Sequence, residues 1–475
     1  MRHDERPNWV RLGGLAGFSS AGAIEKPLVR RITRPHTASV IQIEQGRVIM
    51  THPNRRTFLR HALGSGALLA ATPRGSLAAR RPSLPPPNAG TSQDEAYWGM
   101  VKESFPFAPG LVLMNAANLC PSPFVVQDAV FAWTRDIDAD ASFQNRDKFG
   151  ALRETSRDAV ARHIGAHPDE IALTRNTSEG NNTVAAGVDL GPGDEVLLWD
   201  QNHPTNATSW DERAAVAGFE VRRISTPPLP DSPGVLIDAF RSALTARTKV
   251  LAFSHVSNAT GVRLPAAELC AIARIRGILT LVDGAQSCGA LKIDVHEIGC
   301  DFYTASSHKW LMGPKEAGVL YVRADTIERL RAADVGVGWS RALEGGARKF
   351  ESLGQRDDGC VAAIATTIEF HERIGAEVIE ARLLEITGAL KAGLRERIPS
   401  VEFHTPMRDE MSSGVLVFRV PEVDSGSAYQ RLYDEHMVAA AGRGGEFEGI
   451  RLSPHVYNTL ADVEHALDAI TAVMA

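Results

Sequence analysis

From about residue 94 onward, short apolar runs alternate with longer stretches whose apolar residues recur at helical spacing. Seven runs read as strands: 171–174, 195–199, 220–224, 250–254, 279–283, 302–305 and 318–322. The second is entered through the turn Gly191-Pro192-Gly193-Asp194. The spacing leaves room for a helix between most of them, which predicts a mostly parallel sheet covered on both faces. After about residue 345 the pattern changes. Residues 360–394 read as long helices and 414–420 as a strand. Residues 461–474 read as a helix with Val463, Leu467, Ile470 and Val473 on one face. The fold expectation is therefore α/β. A large domain at 94–345 carries a mostly parallel seven-stranded sheet, and a smaller α+β domain occupies 346–475.

Composition narrows the picture. The chain has 475 residues, 44% hydrophobic and 23% charged, which is ordinary for a folded globular protein. No apolar run reaches the ~20 residues that span a bilayer, so no stable membrane anchor is expected. The formal net charge of −6 does not suggest a nucleic-acid partner. The five cysteines, Cys120, Cys270, Cys288, Cys300 and Cys360, are widely spaced with no CxxC. Most are expected to be buried small hydrophobes, and the set is neither a zinc site nor a disulfide framework. No metal site is expected.

Charge is unevenly placed. Residues 1–79 hold 12 Lys/Arg against 4 Asp/Glu, whereas the rest hold 39 against 53. No carboxylate lies between Glu44 and Asp94. Such an acid-free, Arg-rich start reads as an address label. Asn54-Arg55-Arg56-Thr57-Phe58-Leu59-Arg60 resembles a twin-arginine export signal. A modest apolar stretch follows at 62–71, and then Ser76-Leu77-Ala78-Ala79, which suits a signal peptidase. The expectation is a signal peptide at 50–79 and a proline-rich linker at 80–93, with translation starting at Met50 and residues 1–49 an over-extended start or a disordered basic arm. The implied partner is the twin-arginine machinery, and the implied destination is the periplasm or the exterior after cofactor loading in the cytoplasm.

Polar residues that follow strands carry the candidate chemistry, because ligands of α/β sheets bind at carboxyl strand ends. Thr177 and Ser178, in Thr174-Arg175-Asn176-Thr177-Ser178-Glu179-Gly180, lie near a helix N-terminus, where an anion is favoured. Plain N-capping would use the same residues. Asp283, in Val282-Asp283-Gly284-Ala285-Gln286, ends an apolar strand and needs a partner, which a protonated heterocyclic nitrogen would supply. A structural cap is the other reading. Lys309, in Ser306-Ser307-His308-Lys309-Trp310, lies between a strand and a Gly-Pro turn, where a desolvated lysine can form a Schiff base. Arg451, between Ile450 and Leu452, suits a substrate carboxylate or an internal salt bridge.

Together these strings resemble the class V family of pyridoxal-phosphate enzymes, over roughly residues 110–475. That family includes cysteine desulfurases, serine–glyoxylate-type aminotransferases and isopenicillin N epimerase. The pairing of Asp283-Gly284-Ala285-Gln286 with Ser306-Ser307-His308-Lys309-Trp310 is its most specific mark. Residues 336–339 and 354–357 point to the epimerase-like branch. The resemblance implies fold type I and pyridoxal 5′-phosphate as cofactor. It implies that Lys309 holds the cofactor as an internal aldimine and shuttles the α-proton, that Asp283 pairs with the pyridinium nitrogen, that Gln286 bonds the ring hydroxyl and that His203 stacks on the ring. It places Thr177, Ser178, Ser306 and His308 at the phosphate, and Asn258, Arg451 and, in support, Arg443 on the substrate side. Many relatives have a Gly-Thr pair that reaches the partner subunit's phosphate; Gln355 stands there, so a homodimer is implied. Desulfurases use a cysteine in the C-terminal domain, and no cysteine follows Cys360. The expected activity is epimerase-like or aminotransferase-like, on an amino-group substrate with a carboxylate. The alternatives are a cysteine-independent C–S lyase or a non-catalytic binding protein.

Overall fold

A computed structural model describes residues 41–44, 47–50, 84–85 and 94–474, except 228 and 338. The export-signal residues 54–79, most of the linker and Gly338 lie outside the described residues. Strands β1 (Ile41–Glu44) and β2 (Arg47–Met50) pair antiparallel. They belong to a unit of residues 1–80, and residues 81–475 form a second compact unit. Everything below concerns the second unit.

Chain order there runs α1 (Glu95–Glu103), β3 (Val112–Leu113), α2 (Phe124–Ala139), α3 (Lys148–His163), β4 (Ile171–Thr174) and α4 (Thr177–Gly187). It continues with β5 (Glu195–Trp199), α5 (Pro204–Ala217), β6 (Glu220–Ile224), α6 (Pro233–Ala243), β7 (Thr248–Ser254), α7 (Ala266–Ile275) and β8 (Leu279–Asp283). Next come β9 (Phe302–Ser306), β10 (Gly318–Val322), α8 (Asp358–Ile374) and α9 (Ala376–Arg397). The remainder is β11 (Glu402–Phe403), β12 (Leu416–Arg419), α10 (Ser425–His436), β13 (Val438–Ala439), β14 (Ala441–Arg443), β15 (Gly449–Leu452) and α11 (Leu460–Met474).

The large sheet has seven strands in the order β4-β10-β9-β8-β7-β5-β6, and they are the seven read from the sequence. Strands β9, β8, β7, β5 and β6 pair in parallel, whereas β10 is antiparallel to both neighbours. The reason is local. Only residues 307–317 separate β9 from β10, too short for a crossover helix, so the chain turns back as a hairpin. That hairpin loop carries Lys309.

Alternate residues of each strand feed two cores. Leu197, Trp199, Leu251, Phe253, Val282, Tyr303 and Ala305 face one side, with residues of α3, α6, α7 and α8. Val196, Leu198, Val250, Ala252, Leu281 and Phe302 face the other, with α4 and α5. Both faces are thus dry, which explains the continuous apolar runs.

The second sheet has the order β11-β12-β15-β14. On one face Leu416, Phe418, Ile450 and Leu452 pack under α9, α10 and α11. On the other, Val415 and Val417 share a core with Trp310, Ala116 and Ala117. This face therefore meets the Lys309 loop. The chain passes between the two sheets more than once. β3 pairs in parallel with β13. Helix α8 lies in the large-sheet core through Val361, Ile364 and Ile368.

Candidate functional site

Thr177, His203, Ser254, Asp283 and Ser306 all lie at or just beyond the carboxyl ends of β4, β5, β7, β8 and β9. The parallel sheet thereby collects residues distant in sequence along one edge.

Asp283 is buried, 3% exposed. Its Oδ1 accepts from the backbone N–H of Ala285 at 3.0 Å. Its Oδ2 accepts from Asn181 Nδ2 at 2.8 Å and, more weakly, from Asn206 Nδ2 at 3.5 Å. Among the described residues it has no cationic partner within ion-pair distance. Amide donors hold a carboxylate in place without neutralising it.

Lys309 follows Ser306 and His308 in a tightly held loop. Ser307 N–H donates to Ala317 O at 2.9 Å, and Gly313 N–H donates to Ser307 O at 2.7 Å. Met312 N–H returns to Lys309 O at 2.8 Å, with Met312 in the left-handed region at φ 55°. A side chain in that conformation is uncommon and marks an over-determined turn. Trp310 Nε1 donates to Gln286 Oε1 at 2.8 Å, and Gln286 Nε2 donates to Ala117 O at 2.9 Å. One Nε2 hydrogen of Gln286 remains available. The Lys309 ammonium is held below its ordinary pKa, chiefly by burial, against the opposing pull of the Asp283 charge. Lys309 makes no ion pair among the described residues.

His203 caps α5, its Nδ1 accepting from Thr205 N–H at 3.2 Å. Burial, then the nearby Lys309 charge, lowers its pKa. Ser306 Oγ accepts from Thr177 N–H at 2.8 Å and shares a hydrogen bond with Thr177 Oγ1 at 2.7 Å. The pair stands at the N-terminus of α4, an anion-favouring position. Gly318, opposite Ser306 and Thr174, permits this approach, since a Cβ there would lie 2.7 Å from Asn176 Cα. His308 Nδ1 is buried with no hydrogen-bond partner.

Arg451 lies on β15, 5% exposed. Its Nη1 donates to Asn258 O and its Nη2 to Asn115 Oδ1, each at 3.2 Å. Its Nε is buried and bonds nothing. No internal salt bridge forms among the described residues. Burial, aided by Arg443, pushes its pKa down to about 10. The Asn258 carbonyl is presented by a turn closed by Gly261 N–H to Ser257 O at 2.9 Å, with Gly261 at φ +78°.

Gln355 stands apart. It is exposed, accepts from Arg146 and donates from Nε2 to Asp358 Oδ2 at 3.1 Å. Within one chain it is not bonded to the Thr177–Ser306 cluster. Three amides join the site that the sequence reading did not single out: Asn115, Asn181 and Asn206. Asn181 sits one helical turn after Thr177, an i, i+4 spacing that places both on one face. That spacing was the available signal. The five cysteines are free and buried, as expected. Burial pushes Cys120 up to about 12.

The donor set fits pyridoxal 5′-phosphate. A buried carboxylate and a half-buried lysine, neither in an ion pair among the described residues, share one edge with an anion-favouring helix terminus and an orphaned imidazole nitrogen. Among the described residues no cluster of His, Cys, Asp and Glu suits a metal, and no helix is long and apolar enough to cross a membrane.

The family model for class-V aminotransferases matches residues 136–466. The chain is 31% identical to isopenicillin N epimerase of Streptomyces clavuligerus, over 80% of this chain and 98% of that protein. It is 31% identical to a probable cysteine desulfurase of Pyrococcus abyssi, over 67% of this chain and 82% of that protein. Among solved structures, a C-DES mutant with glycine covalently linked to the PLP cofactor superposes with a TM-score of 0.71 at 25% identity, over 78% of this chain and 98% of that one. Apo cysteine desulfurase from Thermococcus onnurineus gives 0.70 at 27% identity, over 78% and 96%.

Proposed function

Because the chain belongs to the class-V aminotransferase family, whose members depend on pyridoxal 5′-phosphate, we propose that it transforms an amino acid or amino-acid derivative at the α-carbon, in an epimerase-like or aminotransferase-like reaction. The observation that carries this reading is a pair of titratable groups in one site that make no ion pair among the described residues: buried Asp283, held only by N–H donors, and half-buried Lys309. The bound cofactor supplies an electron sink that acidifies the α-proton of an amine substrate.

The chain's own residues do the rest. Lys309 anchors the cofactor and carries the α-proton on its Nζ. Burial favours its neutral form, which is the form that accepts a proton. Asp283 keeps the ring nitrogen protonated, and Asn181 and Ala285 aim its oxygens. His203 would stack on the ring and Gln286 would bond its hydroxyl. Thr177, Ser178, Ser306 and His308 would hold the phosphate. Arg451 takes the substrate carboxylate, with Asn258 lining the same side. Gln355 serves the partner's phosphate in a homodimer. Export through the twin-arginine route belongs to the same proposal.

The likeness to isopenicillin N epimerases over nearly their whole length favours proton return to the α-carbon. A second reading, C–S lyase, rests on the fold match to the cystine C–S lyase C-DES at 25% identity. Desulfurase chemistry through a persulfide fits poorly, since all five thiols are buried.

The test is the visible spectrum of the cofactor-loaded protein during addition of pooled amino acids without keto acid. Conversion to the amine form of the cofactor favours transamination. A shifted band that returns, with solvent deuterium entering the α-position, favours epimerisation. Release of sulfide or pyruvate favours the lyase. A wild-type spectrum without the cofactor band, or one unchanged by Lys309→Ala, overturns the proposal. An N-terminal reporter fusion with Arg55 and Arg56 replaced by Lys tests export, and light scattering tests the dimer.

A further inference from the structure

The small sheet places a second arginine beside Arg451. In the β14–β15 register Ala441 lies opposite Arg451, and Arg443 lies opposite Gly449. Opposed residues of an antiparallel pair share a face, so Arg443 and Arg451 are diagonal neighbours on one face. Ile450 and Leu452 point to the other face, into the core under the helices. Arg443 and Arg451 therefore share the face directed at the Lys309 loop.

Both guanidinium groups lack a counter-charge. Neither forms an ion pair among the described residues, and the Nε of each is buried and bonds nothing. Arg451 is buried and Arg443 half-buried, and the fully buried arginines of the fold are treated differently. Arg157 is held by Glu154 and Glu351, and Arg382 by Glu95 and Glu385. Two adjacent, poorly solvated cations are unfavourable unless anions join them. Burial lowers the pKa of Arg443, and the Arg443 charge in turn helps to lower that of Arg451. Gly444 and Gly445 follow Arg443, and a Cβ added at either would meet nothing within 4 Å, so the loop beside it leaves open space.

An α-carboxylate held fork to fork by Arg451 has both oxygens engaged with that one guanidinium, which leaves Arg443 for a different anionic group. We infer that the substrate carries a second anionic group on its side chain, held by Arg443 while Arg451 takes the α-carboxylate. The substrate class is then an amino acid ending in a carboxylate, sulfonate or phosphate. This deepens the proposed function and rests on it.

The experiment titrates the visible cofactor band of the holoenzyme with L-glutamate, L-2-aminoadipate, L-glutamine and L-norleucine. In parallel, glutarate and butyrate are added as amine-free probes and read by thermal shift. The acidic amino acids should half-saturate at about ten- to hundredfold lower concentration than the neutral ones, the range expected for a charge-assisted pair. Glutarate should stabilise more than butyrate. Arg443→Gln should collapse the glutamate-to-glutamine ratio towards one, and Arg443→Lys should restore part of it. Equal affinity for glutamate and glutamine in the wild type, or an unchanged ratio in a folded Arg443→Gln, overturns the inference while leaving the proposed function in place. If no amine moves the band of a loaded wild type, the proposed function fails and this inference fails with it.

Discussion

Asn181 Nδ2 donates to Asp283 Oδ2 at 2.8 Å, joining two residues 102 positions apart. The same amide accepts on its Oδ1 from Thr304 Oγ1 at 2.7 Å, so its orientation is fixed from the neighbouring strand β9. Thr177 lies one turn earlier on the same helix and bonds Ser306. Helix α4 thus spans from an anion-favouring end to a carboxylate-positioning face, a separation set by one helical turn.

Replacing Asn181 by Ala leaves Thr304 and Asp283 each short of a buried partner. Stability should fall by about 1–3 kcal/mol, read by urea unfolding. Asp283 also loses its strongest side-chain donor, so cofactor affinity should drop by at least about tenfold. Unaltered cofactor affinity in the folded variant would show that Asn181 supports the fold alone.

Arg451 sets site chemistry against stability. It is a buried cation with two neutral acceptors, Asn258 O and Asn115 Oδ1. Replacing a buried charge by an apolar side chain of similar volume is often neutral or stabilising. Arg451→Met should therefore melt at or above the wild-type temperature without ligand, gaining up to about 2 kcal/mol. It should also lose carboxylate-bearing ligands. A marked drop in the melting temperature would mean that the two hydrogen bonds outweigh desolvation.

These examples show which features the sequence exposes. The strands of the large sheet were legible because both faces are buried, so apolar runs are continuous and hard to mistake. The candidate residues Asp283, Lys309 and Thr177 were legible because they end such runs. β3 and β13 were not: each has two residues, and Val112 pairs with Val438 across most of the chain. Asn181 was hidden among polar residues that resemble a helix cap. Whether Arg451 had a carboxylate partner could not be read locally, because its bonding partners, Asn115 and Asn258, lie far away in sequence. The antiparallel β10 followed from loop length, but only once residues 307–317 were known to hold no helix.

Acid stability should be set by histidines held neutral. His255, His371 and His455 are 5%, 1% and 0% exposed. Burial pushes His255 down to about 3 and His455 to about 4, and drives His371 well below its ordinary value. His455 is locked as the neutral ring, its Nε2 on Trp310 O at 2.9 Å and its Nδ1 accepting from Val456 N–H at 2.7 Å. The unfolded chain protonates near pH 6.5 and so binds more protons than the folded one below that pH. Stability is full above about pH 6.5 and falls as pH drops towards 4, by up to about 4 kcal/mol per pH unit for three groups. Urea unfolding from pH 6.5 to 5 should show this slope, and His371→Leu should lessen it by about a third. A flat profile would contradict neutral burial.

Lys391 offers the same linkage at the alkaline end. It is 3% exposed, and its Nζ donates to Pro406 O and Ser412 Oγ, each at 2.7 Å. Two acceptors satisfy the two hydrogens of the neutral amine, and the third hydrogen of the ammonium has no acceptor among the described residues. Burial, partly countered by Asp409, brings its pKa down to about 8. In the unfolded chain it returns to about 10.4. Between these values the unfolded chain is the more protonated, so stability present above pH 10.4 is lost as pH falls to 8 and is level below. The full change is on the order of 3 kcal/mol. Lys391→Met removes this term while leaving every other group in place. The stability of wild type relative to Lys391→Met should therefore rise by about that amount between pH 8 and pH 10.5, read by urea unfolding at both. Parallel curves across that interval would show that Lys391 keeps its ordinary affinity for protons, and that the pocket formed by Pro406 and Ser412 admits the charged form.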